Sequence, residues 1–290
     1  MRQHQTILVT GANGFIGLAT AAALRRRKYE VREFVGDVRD LQDWERQLSR
    51  GVVVMHLAGV RTETDLDFAV NTVGMQNLFM AAAKTGRLPG KVVLGSSQAV
   101  YMGCRPPYME HMRPKPTTIY GESKLAAERV AIGEGKRLHI PVVVLRYSTV
   151  LGPGVRKESS MSGPLVAWVQ ASLSGKPIRV HQDGRQTRDY IHIVDVVTAN
   201  LLAVERLPAG VYNVGGARPI RLAVLAEWVR RATGGRLTIE ITGGKASAVD
   251  PRAMVSDTTK LRSFGWKPGR SAKHAVVEYV RGRELIAEKH

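Results

Sequence analysis

Tyr120 and Lys124 stand four residues apart in Tyr120-Gly121-Glu122-Ser123-Lys124, a spacing that puts both side chains on one helical face, one turn apart. An ammonium beside a phenol stabilises the phenolate and draws the tyrosine down from its ordinary value of about 10 toward working pH, which makes Tyr120 a usable general acid or base. Pro116-Thr117-Thr118 leads into this stretch and supplies a helix start with threonine as cap. Most Tyr and Lys pairs at this spacing are simply the surface of an amphipathic helix. Here Gly95-Ser96-Ser97 changes the odds, because it falls at the end of what reads as the fifth strand, where ligand-facing residues of a doubly wound sheet belong.

A second element of chemistry lies near the start of the chain. Thr10-Gly11-Ala12-Asn13-Gly14-Phe15-Ile16-Gly17 follows a strand-like run and opens a helix. Glycines so spaced let the chain turn tightly, let backbone N–H groups approach a pyrophosphate and let the helix pack closely on the strand, with the phosphates on the positive end of the helix dipole. A glycine triplet alone is a weak motif, but the strand before it and the helix after it are the required context for a dinucleotide. The residue that would read the adenosine ribose is left open. Glu33 would favour NAD, whereas Arg32 or Arg39 would favour the 2′-phosphate of NADP.

The elements that must position these groups alternate. Strand candidates are Thr6 to Thr10, Val31 to Val35, Val52 to Leu57, Val92 to Leu94 and Val142 to Leu145, separated by helical patterns at Phe15 to Arg27, Asp40 to Leu48, Asp67 to Thr85 and Tyr120 to Glu134. Such alternation specifies an α/β chain with a parallel, doubly wound, Rossmann-type sheet. After Gly152-Pro153-Gly154 the texture loosens. Residues 1–150 therefore read as a dinucleotide-binding domain and 151–290 mainly as a smaller substrate-binding lobe, interleaved so that elements around 187–216 return to the first sheet. No internal repeat or low-complexity tract interrupts this pattern.

Composition narrows the function classes. The 290 residues are 44% hydrophobic and 23% charged, which excludes collagen-like, disordered and disulfide-scaffold chains. Cys104 is the single cysteine, so no disulfide and no cysteine-based zinc site can form within the chain, and no base beside it in the sequence makes it a nucleophile. His56 and His192 read as packing or hydrogen-bonding histidines, since no second ligand falls at metal spacing. The longest uncharged stretch, Ser159 to Gly175, carries five serines and is short of the ~20 apolar residues that span a bilayer. With a strand starting at Thr6, no apolar leader core fits, and the expected compartment is the cytoplasm. Forty-three basic against 25 acidic residues leave +18, a field that draws anions.

Taken together, residues 10–17, Gly36-Asp37-Val38-Arg39-Asp40, His56-Leu57-Ala58-Gly59, Ser96-Ser97-Gln98-Ala99-Val100-Tyr101 and Tyr120 with Lys124 resemble the extended short-chain dehydrogenase/reductases, and more narrowly the nucleotide-sugar epimerase/dehydratase family. The likeness continues through Leu145-Arg146-Tyr147, Gly152-Pro153-Gly154, Arg188-Asp189-Tyr190-Ile191-His192, Tyr212-Asn213-Val214-Gly215-Gly216, Ser256-Asp257 and Phe264-Gly265-Trp266. It implies NAD or NADP held by Gly11, Asn13, Gly14, Phe15, Ile16, Gly17, Asp37, Val38, Leu57, Ala58, Tyr120 and Lys124. It also implies Ser97, Tyr120 and Lys124 as the catalytic trio, a nucleotide sugar held at Ser97, Thr149 and Arg188, and a homodimer through the helices around 67–85 and 120–134. No metal, membrane or nucleic-acid partner is implied.

The chain also departs from the family. Gln98 and Ala99 stand where dehydratases carry an acidic pair, which argues against water elimination. About a dozen residues are missing around Tyr29 to Asp40, Thr149 replaces the usual asparagine near the substrate phosphates, and Ser247, with Lys245 and Arg252 nearby, stands where a second phosphate arginine is customary. The resemblance thus implies an epimerase acting through a transient keto sugar, with a keto-sugar reductase as alternative. Further behind are a steroid- or flavonoid-type reductase, which Arg188 disfavours, and a non-catalytic RNA-binding protein, which the intact trio disfavours.

Overall fold

In the computed structural model, residues 5–155, 163–235, 237–244 and 251–287 are described. The chain runs β1 (Thr6–Thr10), α1 (Phe15–Arg26), β2 (Glu30–Glu33), α2 (Leu41–Gln47), β3 (Val53–His56), α3 (Asp65–Phe68), a π-helical turn (Ala69–Val73), α4 (Gly74–Thr85), β4 (Lys91–Ser97), a 3₁₀ turn (Gln98–Tyr101), α5 (Ile119–Arg137), β5 (Val142–Tyr147) and β6 (Thr149–Leu151). It continues with α6 (Gly163–Leu173), β7 (Ile178–Val180), β8 (Thr187–His192), α7 (Ile193–Glu205), β9 (Gly210–Val214), β10 (Pro219–Arg221), α8 (Leu222–Ala232), β11 (Ile239–Ile241), α9 (Thr259–Ser263) and α10 (Ala272–Ala287).

Six strands form the main sheet in the order β2-β1-β3-β4-β5-β9, every pair parallel. One face is covered by α1 and α7, where Leu24, Val196 and Leu202 close over Ile7, Val53 and Val143. Helices α2, α4 and α5 cover the other, with Trp44, Phe79 and Ala127 against Leu8, Val54 and Val144. Burial on both faces is why these strands read as continuous apolar runs. Two small sheets, β10-β8-β6 and β11-β7, lie after the fifth strand and share a separate core built on Trp168, Tyr190, Leu225 and Tyr279.

Four departures from the sequence expectation bear on the site. First, the serine-bearing strand is the fourth in chain order, because the chain passes from β2 directly through α2 to β3. Second, β4 extends to Ser97, held by pairing of Ser96 with Arg146 and of Ser97 with Tyr147. Third, β2 ends at Glu33 rather than at Val35, and the side chain of Gln47 accepts from Val35 N at 2.8 Å and donates to its carbonyl at 2.7 Å, satisfying the edge backbone where no further strand pairs. Fourth, the helix expected from Asp67 to Thr85 starts at Asp65 and widens to a π turn over Ala69–Val73, an irregularity often found beside functional sites.

Between β4, β5 and α5 lies a buried polar cluster. Arg146 donates to both carboxylate oxygens of Glu128, Nε to Oε1 at 2.9 Å and Nη2 to Oε2 at 2.5 Å, and Ser96 Oγ donates to the same carboxylate. Both charged side chains are almost fully buried. Removing one partner of such a pair leaves an uncompensated charge. Glu128→Ala should therefore cost about 3–5 kcal/mol in urea unfolding, and most of that loss should return in the double variant Glu128→Leu with Arg146→Met; a single variant within about 1 kcal/mol of the parent would show that the pair does not hold α5 to the sheet.

Candidate active site

The turn after β1 uses its glycines for contact rather than flexibility alone. Gly11 has φ of +64°, and a Cβ there would lie 2.7 Å from Ala58 N; a Cβ at Gly17 would lie 1.9 Å from the Gly11 carbonyl oxygen. Gly14 donates to that same carbonyl at 2.9 Å and begins α1. Thr10 Oγ1 at the end of β1 accepts from Leu57 N at 3.1 Å and Ala58 N at 3.0 Å, locking the β3 exit loop onto the turn. Its hydroxyl hydrogen goes to His56 Nδ1, 3.0 Å away. Burial pushes His56 down to about 3, with Lys124 adding to the effect, so the ring is neutral. It serves packing, as does His192, which caps α7 and reaches Glu278 Oε2 at 3.0 Å.

Two cavities open along this edge. The first, about 300 Å³, is lined by Gly11, Ala12, Asn13, Phe34, Gly36, Asp37, Val38 and Ala58. The second, about 160 Å³, brings Phe15 and Ile16 of α1 together with Ser97, Tyr120 and Thr149. Gly14, Gly17 and Leu57 line neither; they hold the turn and the loop in place. Asn13 of the first cavity and Phe15 and Ile16 of the second flank the start of α1, and since the first N–H groups of a helix have no partner within it, a glycine cradle and a helix N-terminus coincide here, the donor set a dinucleotide pyrophosphate needs.

In the second cavity Tyr120 is half-buried near the start of α5. Burial pushes its phenol up, while a hydrogen bond with Ser97 and the nearby Arg61 guanidinium pull it down. Thr118 caps the helix by accepting from Gly121 N at 3.0 Å, and Ser97 Oγ accepts from Ala99 N at 3.1 Å, fixing the bend from β4 into the 3₁₀ turn. Lys124 is buried one turn below Tyr120, beside Gly59, where a Cβ would lie 3.6 Å from Nζ. Burial draws its ammonium down to about 8, and the Glu128 carboxylate one turn further along α5 opposes that shift.

Sequence reasoning missed the strap that covers Tyr120. Arg61 lies 5.1 Å from the centre of the Tyr120 ring, within cation–π range, and its Nε donates to Glu63 Oε1 at 3.2 Å. Glu63 Oε2 in turn accepts from Tyr120 N at 3.1 Å, and Glu63 sits at φ of +57°, uncommon for a side-chain-bearing residue. Buried Asp67 pins the strap through Thr62 N at 2.7 Å and Glu63 N at 3.2 Å. Asn71, in the π turn, ties Val60 N and O and Ser123 Oγ together. The only sequence signal was a charged residue two positions after His56-Leu57-Ala58-Gly59.

Ser148 and Thr149 line the same cavity, and their hydroxyls are buried with no hydrogen-bond partner among the described residues. Arg188 lines neither cavity. It is buried and donates through Nη1 to the Thr187 and Pro251 carbonyls at 2.8 and 2.9 Å. Lys245 and Ser247 fall outside the described residues, and Arg252 reaches Asp183 at 3.1 Å. Two of the side chains considered as ribose readers point elsewhere, Glu33 pairing with Arg25 at 2.5 Å and Arg32 donating to Ser49 Oγ at 2.8 Å, whereas Arg39 donates to Asp37, which lines the first cavity. A third cavity, about 780 Å³, lies in the later lobe between Trp168, Lys176, Arg179, His181 and Gln186. Among the described residues no cluster of side chains suits a metal ion, and no helix is long and apolar enough to cross a membrane.

The profile of the NAD dependent epimerase/dehydratase family matches residues 7–215. The chain is 30% identical to a UDP-glucose 4-epimerase of Streptomyces lividans, over 91% of this chain and 92% of that one. It superposes on the UDP-glucose 4-epimerase of Thermus thermophilus, solved with NAD, at a TM-score of 0.85 and 26% identity, covering 97% and 99% of the two chains. The Thermotoga maritima UDP-glucose 4-epimerase, solved with UDP-glucose, gives 0.86 and 25% identity, covering 98% and 100%.

A lysine drawn from 10.5 to about 8 is protonated in the unfolded chain but not in the native one between those values, so its contribution to stability rises with pH across that window. Lys124→Met should accordingly be more stable than the parent at about pH 7 and lose that advantage by about pH 10, read by urea unfolding at the two values. An advantage that does not change with pH would mean that the native ammonium titrates as a solvated one does.

Proposed function

The chain belongs to the NAD dependent epimerase/dehydratase family, and on that premise we propose that it inverts one carbinol centre of a nucleotide-activated sugar, at the 4-position as in the relatives matched, with NAD as its cofactor. The reading is carried by the convergence of Ser97, Tyr120 and Thr149 in one small cavity at the end of the dinucleotide-type turn, with Lys124 buried beneath. NAD, when bound, supplies a reversible hydride acceptor for the sugar carbon. The Tyr120 oxygen takes the hydroxyl proton as the carbonyl forms and gives it back when the other face is reduced. Lys124 and the Arg61 guanidinium favour the ionised phenol, and Ser97 donates a hydrogen bond to the reacting oxygen. No side chain is needed to expel water, consistent with Gln98 and Ala99 after Ser97.

The unpartnered hydroxyls of Ser148 and Thr149 suit a polyhydroxylated ring, since buried polar groups normally find partners. We assign the nucleotide to the larger cavity, where Trp168 offers an aromatic face and Lys176 and Arg179 offer charge to phosphate. Arg188 then acts by shaping the diphosphate path from its buried site. Exposed apolar side chains concentrate on α3 through α5, namely Leu66, Phe68, Val73, Met80, Ile119 and Ile132, and they support a homodimer through these helices.

Incubation with UDP-glucose and UDP-glucuronate plus NAD, followed by nuclear magnetic resonance of the sugar, should show inversion at the 4-position with no net change in reduced dinucleotide. Stoichiometric consumption of reduced dinucleotide with a keto sugar would instead establish a reductase. Tyr120→Phe should lower the inversion rate by about 10²–10⁴, and a variant within a few-fold of the parent rate would remove Tyr120 from the chemistry.

A further inference from the structure

The cavity at the adenosine end of the proposed NAD site has an unusual wall. Asp37 is the one carboxylate lining it among the described residues, and both of its oxygens accept from Arg39, at 2.8 Å from the backbone N and 2.9 Å from Nε, so its charge is already paired. The side chain entering the cavity from the end of β2 is Phe34, whose ring packs on Trp44 at 4.4 Å between centroids. Glu33, the neighbouring acid, projects from the opposite face of the strand to Arg25. Among the described residues no further strand walls the site from the far side, because β2 is the edge of the sheet and Gln47 covers its end. A carboxylate in this place grips the ribose hydroxyls of NAD and repels a 2′-phosphate. An aromatic ring does neither, although it offers a face to adenine.

We propose that this chain holds the adenosine ribose of its dinucleotide without a charged grip, so that the cofactor exchanges with solution and the 2′-position is read only weakly, Phe34 being the residue that decides it. The proposal rests on the assignment of NAD to this site. Arg39, half-exposed at the rim, is the cation a 2′-phosphate would meet. Affinity then comes from the α1 N-terminus and the glycine turn, which are common to NAD and NADP.

The test uses the full chain purified without added dinucleotide and desalted, with released nucleotide identified by mass spectrometry and binding of NAD and NADP measured by calorimetry. The expected result is retention well below one dinucleotide per chain and dissociation constants for NAD and NADP within about tenfold of each other. Phe34→Asp should raise the preference for NAD by at least about tenfold, whereas Phe34→Leu should weaken both alike. One NAD retained per chain through desalting, or a wild-type preference beyond about tenfold, would overturn the proposal. Sugar inversion on addition of NAD would leave the epimerase reading standing in that case. Binding of neither dinucleotide would overturn both readings.

Discussion

Keeping an ammonium buried at Lys124 is the constraint around which this site is built. Desolvation disfavours the charge, and the fold answers with the Glu128 carboxylate one turn along the same helix. That carboxylate is itself buried and is held by Arg146 and Ser96, so α5, β4 and β5 are tied by one network in which each charge meets its opposite. Residues Tyr120, Lys124 and Glu128 repeat every four positions and form one stripe of α5. The placement of Tyr120 against Ser97 depends on that stripe staying in register with the sheet, because Ser97 follows Ser96 directly on β4.

The opposite side of the site is fixed by close approach rather than by charge. Gly17 lies against the Gly11 carbonyl, and Gly11 lies against the Ala58 amide, so α1, β1 and the β3 exit loop meet with no side chain between them. Thr10 adds two hydrogen bonds to the same junction. The loop that leaves this junction becomes the strap carrying Arg61 and Glu63. Because Glu63 accepts from the backbone of Tyr120, the glycine turn and α5 are mechanically connected through a strap of a few residues.

Much of this was legible in the sequence. The strands could be read because burial on both faces leaves apolar runs, and the Tyr120 and Lys124 face followed from helical spacing alone. The glycine turn was legible because its context, strand before and helix after, is written in the same few residues. The strap was not. Arg61, Glu63 and Asn71 meet Tyr120 and Ser123 across about 50 to 60 positions of chain, and no local period announces such contacts. Nor could the sequence say which of Arg32, Glu33 and Phe34 faces the cofactor wall. That is set by the register of β2 on β1, Arg32 beside Leu8 and Glu33 beside Val9, and a one-residue slip would exchange the faces. The resemblance made Arg188 a phosphate ligand, yet burial turns one end of its fork to two backbone carbonyls.

The segment from β2 to α2 bounds the site at the edge of the sheet. Strands β1, β3 and β4 each have a neighbour on both sides, and β1 and β3 separate the β2 edge from β4 and Ser97. At the outer wall Phe34, Gly36 and Asp37 come from one continuous piece of chain. Asp37 is drawn into a local turn with Arg39 and Asp43, and the edge is sealed by Gln47 instead of by a neighbouring ladder. The proposed chemistry on the sugar and the proposed grip on the cofactor are therefore separable here. The first depends on buried charge at the centre of the sheet and the second on an aromatic ring at its margin.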